Sequence, residues 1–367
     1  MGVGVLAAAL LPHARPGGDP VEPSGILNYW AHWDGAWYTR IATEGYEAYA
    51  PESTAFFPLL PMLVRVGSAL GGGPSLWGVL ISLAAAVFAL YFVYGISEKL
   101  WDRGAARAAT LTFAFFPTSF YLNAPFTEAL FVALAAGSYW SAYVRRDLLL
   151  AGLLGALAAA TRNSGMLLLI PLGYEWLRHR QELGWRGTWE LALVPTGLLG
   201  YMGFLWYRFG DPLIFADAQT IYWGRELTNP LAVLADAWTD ASAGLVYVLD
   251  PVALFLDPSP IPTLEASGVV NIVFLVLLLV LMFVSFAILP LGLSLFAFVV
   301  TLLHILTPSP VIPLLGLPRF VIEAFPVFLV LGYLLSRSKP ALVMWLLVNG
   351  GLGVALTTLF VTWRWVA

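Results

Sequence analysis

Apolar runs fill roughly residues 1–11, 75–97, 108–123, 126–144, 148–162, 165–178, 188–207, 268–288, 290–306, 319–336 and 341–362. Most approach the ~20 residues that cross a bilayer as helix, and none shows the period-2 alternation of a barrel strand. The pattern predicts an all-α polytopic membrane protein with about eleven transmembrane helices. The first run is too short for a full crossing and lacks the basic flank of a signal peptide, so the true start is expected upstream. Residues 57–70 carry Pro58, Pro61 and Arg65, which predicts a re-entrant or surface-lying helix. Polar positions collect in two long acid-rich segments, 12–56 and 208–267, whereas Lys99, Arg103, Arg107, Arg145, Arg146, Arg178, Arg180, Arg186, Arg337 and Lys339 fall in short loops. Short loops bearing Lys and Arg stay cytoplasmic, which puts both long segments outside.

Composition narrows the class further. With 60% hydrophobic and 11% charged residues and a mean hydropathy of +0.82, the chain has too little polar surface to coat a soluble globule. The absence of cysteine excludes disulfides, thiolate metal sites and thiol nucleophiles. A net charge of -4 without a basic tract argues against a nucleic-acid partner. The histidines, at 13, 32, 179 and 304, have no metal-ligand spacing, and no nucleotide-binding motif is visible. No cofactor or metal is therefore expected.

The chemistry concentrates in "HWDGAWYTRIATEGY", residues 32–46. Ser24 is a suitable cap for a helix that runs to Gly45. On such a helix Trp30, Trp33, Trp37 and Ile41 share one side, with Tyr38 and Asp34 at its border, as in an amphipathic helix lying in the headgroup layer. Two readings stay open at this point: an aromatic anchor with a solvated acid, or a base placed where it meets the head of a lipid-linked substrate. "FFP" occurs twice, at 56–58 and 115–117, but the flanks do not match, so coincidence or shared helix-breaking geometry is expected instead of a repeat.

The order of "HWDGAWYTRIATEGY", "STAFFPLLP", "FAFFPTSFYLNAPFTEALF", "GLLGALAAATRNSG" and "LPRF" along the chain resembles the PIG-V family, the GPI mannosyltransferase II group and its bacterial relatives. The resemblance implies a GT-C type glycosyltransferase fold, forming a single membrane-embedded domain over 1–367. It also implies transfer of mannose, with inversion, from a polyprenyl (dolichyl-type) phosphate to a glycolipid or glycan acceptor. The active site would lie on the non-cytoplasmic face, of the inner membrane in a bacterial cell.

The same resemblance makes Asp34 the catalytic base. One carboxylate suffices because the leaving group is already a stabilised phosphate anion, whereas a glycosidase must protonate a poor alkoxide and uses two. For the donor phosphate, Arg319 and Arg162 offer forked, charge-assisted contacts at outer helix ends; the structural alternative for Arg319 is an ion pair with Glu323 one turn on. Glu128 is either a helix-start carboxylate beside a Thr127 cap or an acceptor for sugar hydroxyls. Asn123 and Tyr121 are further sugar contacts, and His32, if protonated, a phosphate contact. Trp33, Trp37 and Tyr38 are expected at the lipid interface. A transporter or lipid-sugar flippase remains the alternative class. Convergence of Asp34, Glu128, Arg162 and Arg319 in one outer cavity separates the two, since a transporter centres its site near the midplane.

Overall fold

The structure, a computed structural model, describes residues 1–14, 25–257 and 259–366. Every regular element among them is helical. Helix starts follow local chemistry. The side chains of Asp102, Asp147, Asn229, Asp250 and Ser338 each accept a backbone N–H of the first turn, and Pro opens the Pro74–Leu100, Pro230–Val248 and Lys339–Val361 helices at the first or second position.

The expectation of about eleven full crossings is corrected. Among the described residues, four helices are long and apolar enough to span: Pro74–Leu100, Pro230–Val248, Ile261–Ile288 and Lys339–Val361. The others are short or interrupted. The 108–123 run divides into the Arg103–Ala114 helix and a 3-10 turn at Ser119–Asn123, and the 165–178 run into a 3-10 turn at Asn163–Leu168 and the Leu169–Arg178 helix. At 1.5 Å per residue a twelve-residue helix rises only ~18 Å, short of the ~30 Å hydrocarbon core. Irregular backbone at that depth is tolerated where protein rather than lipid surrounds it, and most of Ser119–Asn123 is buried. The Pro230–Val248 helix lies in the acid-rich 208–267 segment, where no apolar run was expected to cross. It packs along Ile261–Ile288, with Gly244 against the Glu265 carbonyl.

Long helices present apolar surface outward as well as inward: Leu80, Val87, Phe88 and Tyr91 on one, Val273, Val276, Val280 and Phe283 on another. Such faces suit lipid, not water. Helix contacts inside are made close by small residues. Gly332 presses on the backbone of Ala109, where a Cβ has no room, so the Pro326–Ser336 and Arg103–Ala114 helices meet at backbone distance. Within residues 57–70 lies the short Leu59–Ser68 helix, which buries Leu60, Pro61, Val64 and Gly67. The two FFP triplets sit where helices begin or end: Pro58 precedes Leu59–Ser68, and Pro117 follows Arg103–Ala114.

Two helices form the centre of the bundle. Glu128–Trp140 is buried along nearly its whole length, and Pro326–Ser336 through its first seven residues. Their N-terminal ends reach the same place, and that is where the charged side chains are.

Candidate active site

The Asp34–Glu44 helix begins at Asp34 itself, with Gly45 (φ +81°) ending it as expected. The preceding residues are a 3-10 turn, Ile26–Trp30, and the expected cap Ser24 lies outside the described residues. Trp33 has a left-handed backbone (φ +53°), so the chain turns sharply into the helix. The helical wheel drawn back through Trp33 and Trp30 therefore fails. Trp30 is buried against Phe360, and Tyr38 and Ile41 are buried too. Trp37 stacks on Phe56 at 5.3 Å, and Trp33 meets the edge of Trp365 at 4.8 Å. Tyr38 is thus buried in protein instead of lying at the lipid interface, whereas Trp33 and Trp37 pack on protein rings and stay partly exposed; Asp34, at the first position of the helix, is 27% exposed.

Asp34, Glu128, Arg162 and Arg319 converge. Arg319 donates from Nη1 to Asp34 Oδ2 at 2.7 Å, and its Nε lies 3.1 Å from Glu128 Oε1. Arg162 donates from Nη1 to the same Glu128 oxygen at 2.9 Å and to Thr127 Oγ1 at 2.8 Å. The other arm of Arg162 reaches Glu323 Oε1 at 2.9 Å, and Ser164 donates to Glu323 Oε2 at 3.1 Å. The result is one chain of alternating charge, Asp34–Arg319–Glu128–Arg162–Glu323, whose three carboxylates outnumber its two guanidiniums. Glu128 and Glu323 have side chains only 1% exposed, so these contacts act in a medium of low dielectric.

The proposed Arg319–Glu323 ion pair is not formed. The helix containing Arg319 lasts only from Leu317 to Phe320, so the one-turn register breaks and Glu323 turns to Arg162. Thr127 makes no capping bond to the helix it precedes; its hydroxyl serves Arg162 and lies 3.4 Å from the Tyr38 hydroxyl. Burial pushes the Tyr38 phenol above its usual range, so it stays protonated.

His32 is corrected as a phosphate contact. It is buried between Phe360 and Trp363, with ring centroids 5.0 and 4.3 Å away, and burial pulls its pKa down to about 3. It is neutral at physiological pH and faces aromatic rings. Asn123 is half-buried at the end of its 3-10 turn, and among the described residues no polar contact ties it to the charged chain. Among the described residues no group of acids or histidines is arranged to hold a metal ion.

Sequence reasoning missed Arg225. Its guanidinium lies 5.8 Å from the centre of the Phe320 ring, on which Arg319 (4.8 Å) and Arg162 (5.4 Å) also converge. The signal was slight: one arginine in a long polar segment, directly after Gly224. Beside it, Arg225, His304, Pro313, Leu314, Leu315, Leu317 and Phe320 line a narrow surface crevice.

The family model described as mannosyltransferase (PIG-V) matches residues 21–178, a stretch that holds Asp34, Glu128 and Arg162 but neither Arg225 nor Arg319. No curated protein matches in sequence. In fold the chain is similar to the crystal structure of ArnT from Cupriavidus metallidurans bound to undecaprenyl phosphate, with a TM-score of 0.53 at 12% identity, over 95% of this chain and 60% of that one. It thus spans about 60% of that protein's length. The Archaeoglobus fulgidus oligosaccharyltransferase, in complex with Zn and sulfate, matches at a TM-score of 0.43 and 16% identity, over 97% of this chain and 52% of the other.

Proposed function

We propose, from the match of residues 21–178 to the PIG-V mannosyltransferase family model, that the chain moves mannose from a polyprenyl phosphate to a glycolipid or glycan acceptor on the non-cytoplasmic face of the membrane. The observation that carries this reading is the meeting of a partly exposed aspartate with buried, charge-paired arginines at one end of an apolar bundle. The similar ArnT structure is described as bound to undecaprenyl phosphate, which agrees with a prenyl-phosphate donor.

In the reaction the acceptor hydroxyl oxygen attacks the anomeric carbon from the face opposite the phosphate, and inversion follows. Its proton passes to the Asp34 carboxylate. The bonding pair of the broken sugar–oxygen bond stays on the phosphate, which goes from a singly charged diester to a monoester bearing one more negative charge. Asp34 loses its charge as the phosphate gains one. Transition-state stabilisation therefore requires cations that stay in place while negative charge moves across the site.

Arg319 is shared between the base and the phosphate. Its hydrogen bond orients Asp34, and its 12% exposed side chain offers the phosphate a further donor. Arg162, held by two acids and Thr127, braces Glu128 and Glu323. Glu128 Oε2 is buried without a hydrogen-bond partner, which suits an acceptor for a sugar hydroxyl. The test is to offer purified protein in lipid labelled polyprenyl-phosphate-mannose, the glucose and arabinose analogues, and a nucleotide-mannose, and to score label in extracted lipid. Transfer from the prenyl-linked mannose alone is expected. Movement of intact donor across the bilayer without sugar transfer would favour a flippase.

A further inference from the structure

The charges just described leave the phosphate short of a partner. Arg162 and Arg319 already face three carboxylates, so neither brings an uncompensated positive charge to an incoming anion. Arg225 differs. Among the described residues its guanidinium meets no carboxylate, and the polar contact it makes is from Nη1 to the Thr307 carbonyl at 3.0 Å. A guanidinium has five N–H donors, so most of its capacity remains.

Its position is built. Gly224 has φ +61° and abuts the Pro310 ring so closely that a Cβ would collide with it, and the Thr228 amide donates to the Leu306 carbonyl at 2.9 Å. The 224–228 turn is thereby pinned on the loop that follows the Leu291–Leu306 helix. Burial, and next the neighbouring Arg319, pull Arg225 down to about 10, with Asp34 acting in the opposite sense. A nearby anion would relieve both effects.

The crevice beside Arg225 is amphipathic. Arg225 and His304 supply its polar part; Pro313, Leu314, Leu315, Leu317 and Phe320 supply the rest. A bare phosphate needs only the former, whereas a phosphate on an isoprenoid uses both.

We propose that Arg225 is a phosphate-binding residue of the donor site, and that Phe320 and the three leucines beside it offer apolar surface to the first isoprene unit of the same lipid. This rests on the donor reading above and names the residue that supplies its missing charge.

The test measures binding of farnesyl phosphate, farnesol and inorganic phosphate to the purified protein in detergent, for wild type, Arg225→Gln and Arg225→Lys. Wild type should prefer farnesyl phosphate to either partial probe by at least about tenfold, the order expected of a charge-assisted contact to a desolvated phosphate. Arg225→Gln should lose that preference and Arg225→Lys keep most of it. If Arg225→Gln folds and binds farnesyl phosphate as tightly as wild type, this inference is overturned while the donor reading stands. If wild type does not distinguish farnesyl phosphate from farnesol, both fall. Inorganic phosphate binding as well as farnesyl phosphate would overturn the role of the leucines. Should Arg225→Gln not fold, phenylglyoxal mapping of wild type decides: farnesyl phosphate should shield Arg225 from modification, and equal labelling with and without it would refute the assignment.

Discussion

Arg162→Gln tests whether the charged chain is a mutually dependent unit. Arg162 lies within 2.9 Å of both Glu128 and Glu323, each with a side chain 1% exposed. Removing one partner of a buried ion pair costs about 3–5 kcal/mol, because a charge is left in low dielectric without compensation. The loss here is unequal. Glu128 keeps Arg319 at 3.1 Å, but Glu323 keeps only the Ser164 hydroxyl at 3.1 Å and His304 at 3.9 Å. The cost therefore falls chiefly on Glu323, and about 3 kcal/mol is expected for the single substitution. The double variant Arg162→Gln/Glu323→Gln removes the orphaned charge and should recover about 1.5–2 kcal/mol of it. Unfolding in mixed micelles, followed by tryptophan fluorescence, measures both. A single variant less than about 1 kcal/mol below wild type, or a double variant no more stable than the single, would refute this coupling.

Other outcomes follow from the same geometry. His32 has a folded pKa of about 3 against 6.5 for the ordinary imidazole, so between these values the unfolded chain binds more protons and stability falls as pH drops. His32→Phe should flatten that acid slope by up to ~1.4 kcal/mol per pH unit in denaturation at pH 7 to 4; equal slopes would contradict it. Glu128→Gln keeps the size of a side chain that touches both arginines, and should lower turnover per folded molecule by about ten- to a hundredfold; if only expression and thermal stability dropped, Glu128 would be structural. Gly332→Val has no space against the Ala109 backbone and should sharply reduce the folded yield seen by size-exclusion chromatography, whereas wild-type yield would mean that the two helices are not in backbone contact.

Much of the site was legible as residue types and little of it as contacts. Glu128, Arg162 and Arg319 stood out because each is a charged residue at the edge of an apolar run, where its presence is costly without a partner, and Asp34 through the motif order that resembles a known family. Which acid met which arginine was not legible. A helix of four residues, Leu317–Phe320, breaks the register that would have joined Arg319 to Glu323. The aromatic wheel failed for a similar reason: a 3-10 turn and the left-handed Trp33 precede Asp34, so 3.6-residue spacing does not extend back to Trp30. His32 was misjudged through sequence nearness to Asp34, since a residue outside the helix need not face the same side. Arg225 lay in the long polar segment where no pattern pointed to single residues; only the Phe320 ring, on which three guanidiniums converge, reveals it. The helical class was plain from the apolar runs, but their continuity was not, because 3-10 and α segments share the same composition.

The most direct test of Asp34 as the base is turnover of labelled polyprenyl-phosphate-mannose by purified wild type beside Asp34→Asn, in lipid and with extracted acceptor lipids. Removing the carboxylate while keeping its size should lower sugar transfer by about 10²–10⁴-fold, and farnesyl phosphate should still bind. Transfer by Asp34→Asn at the wild-type rate would contradict the account.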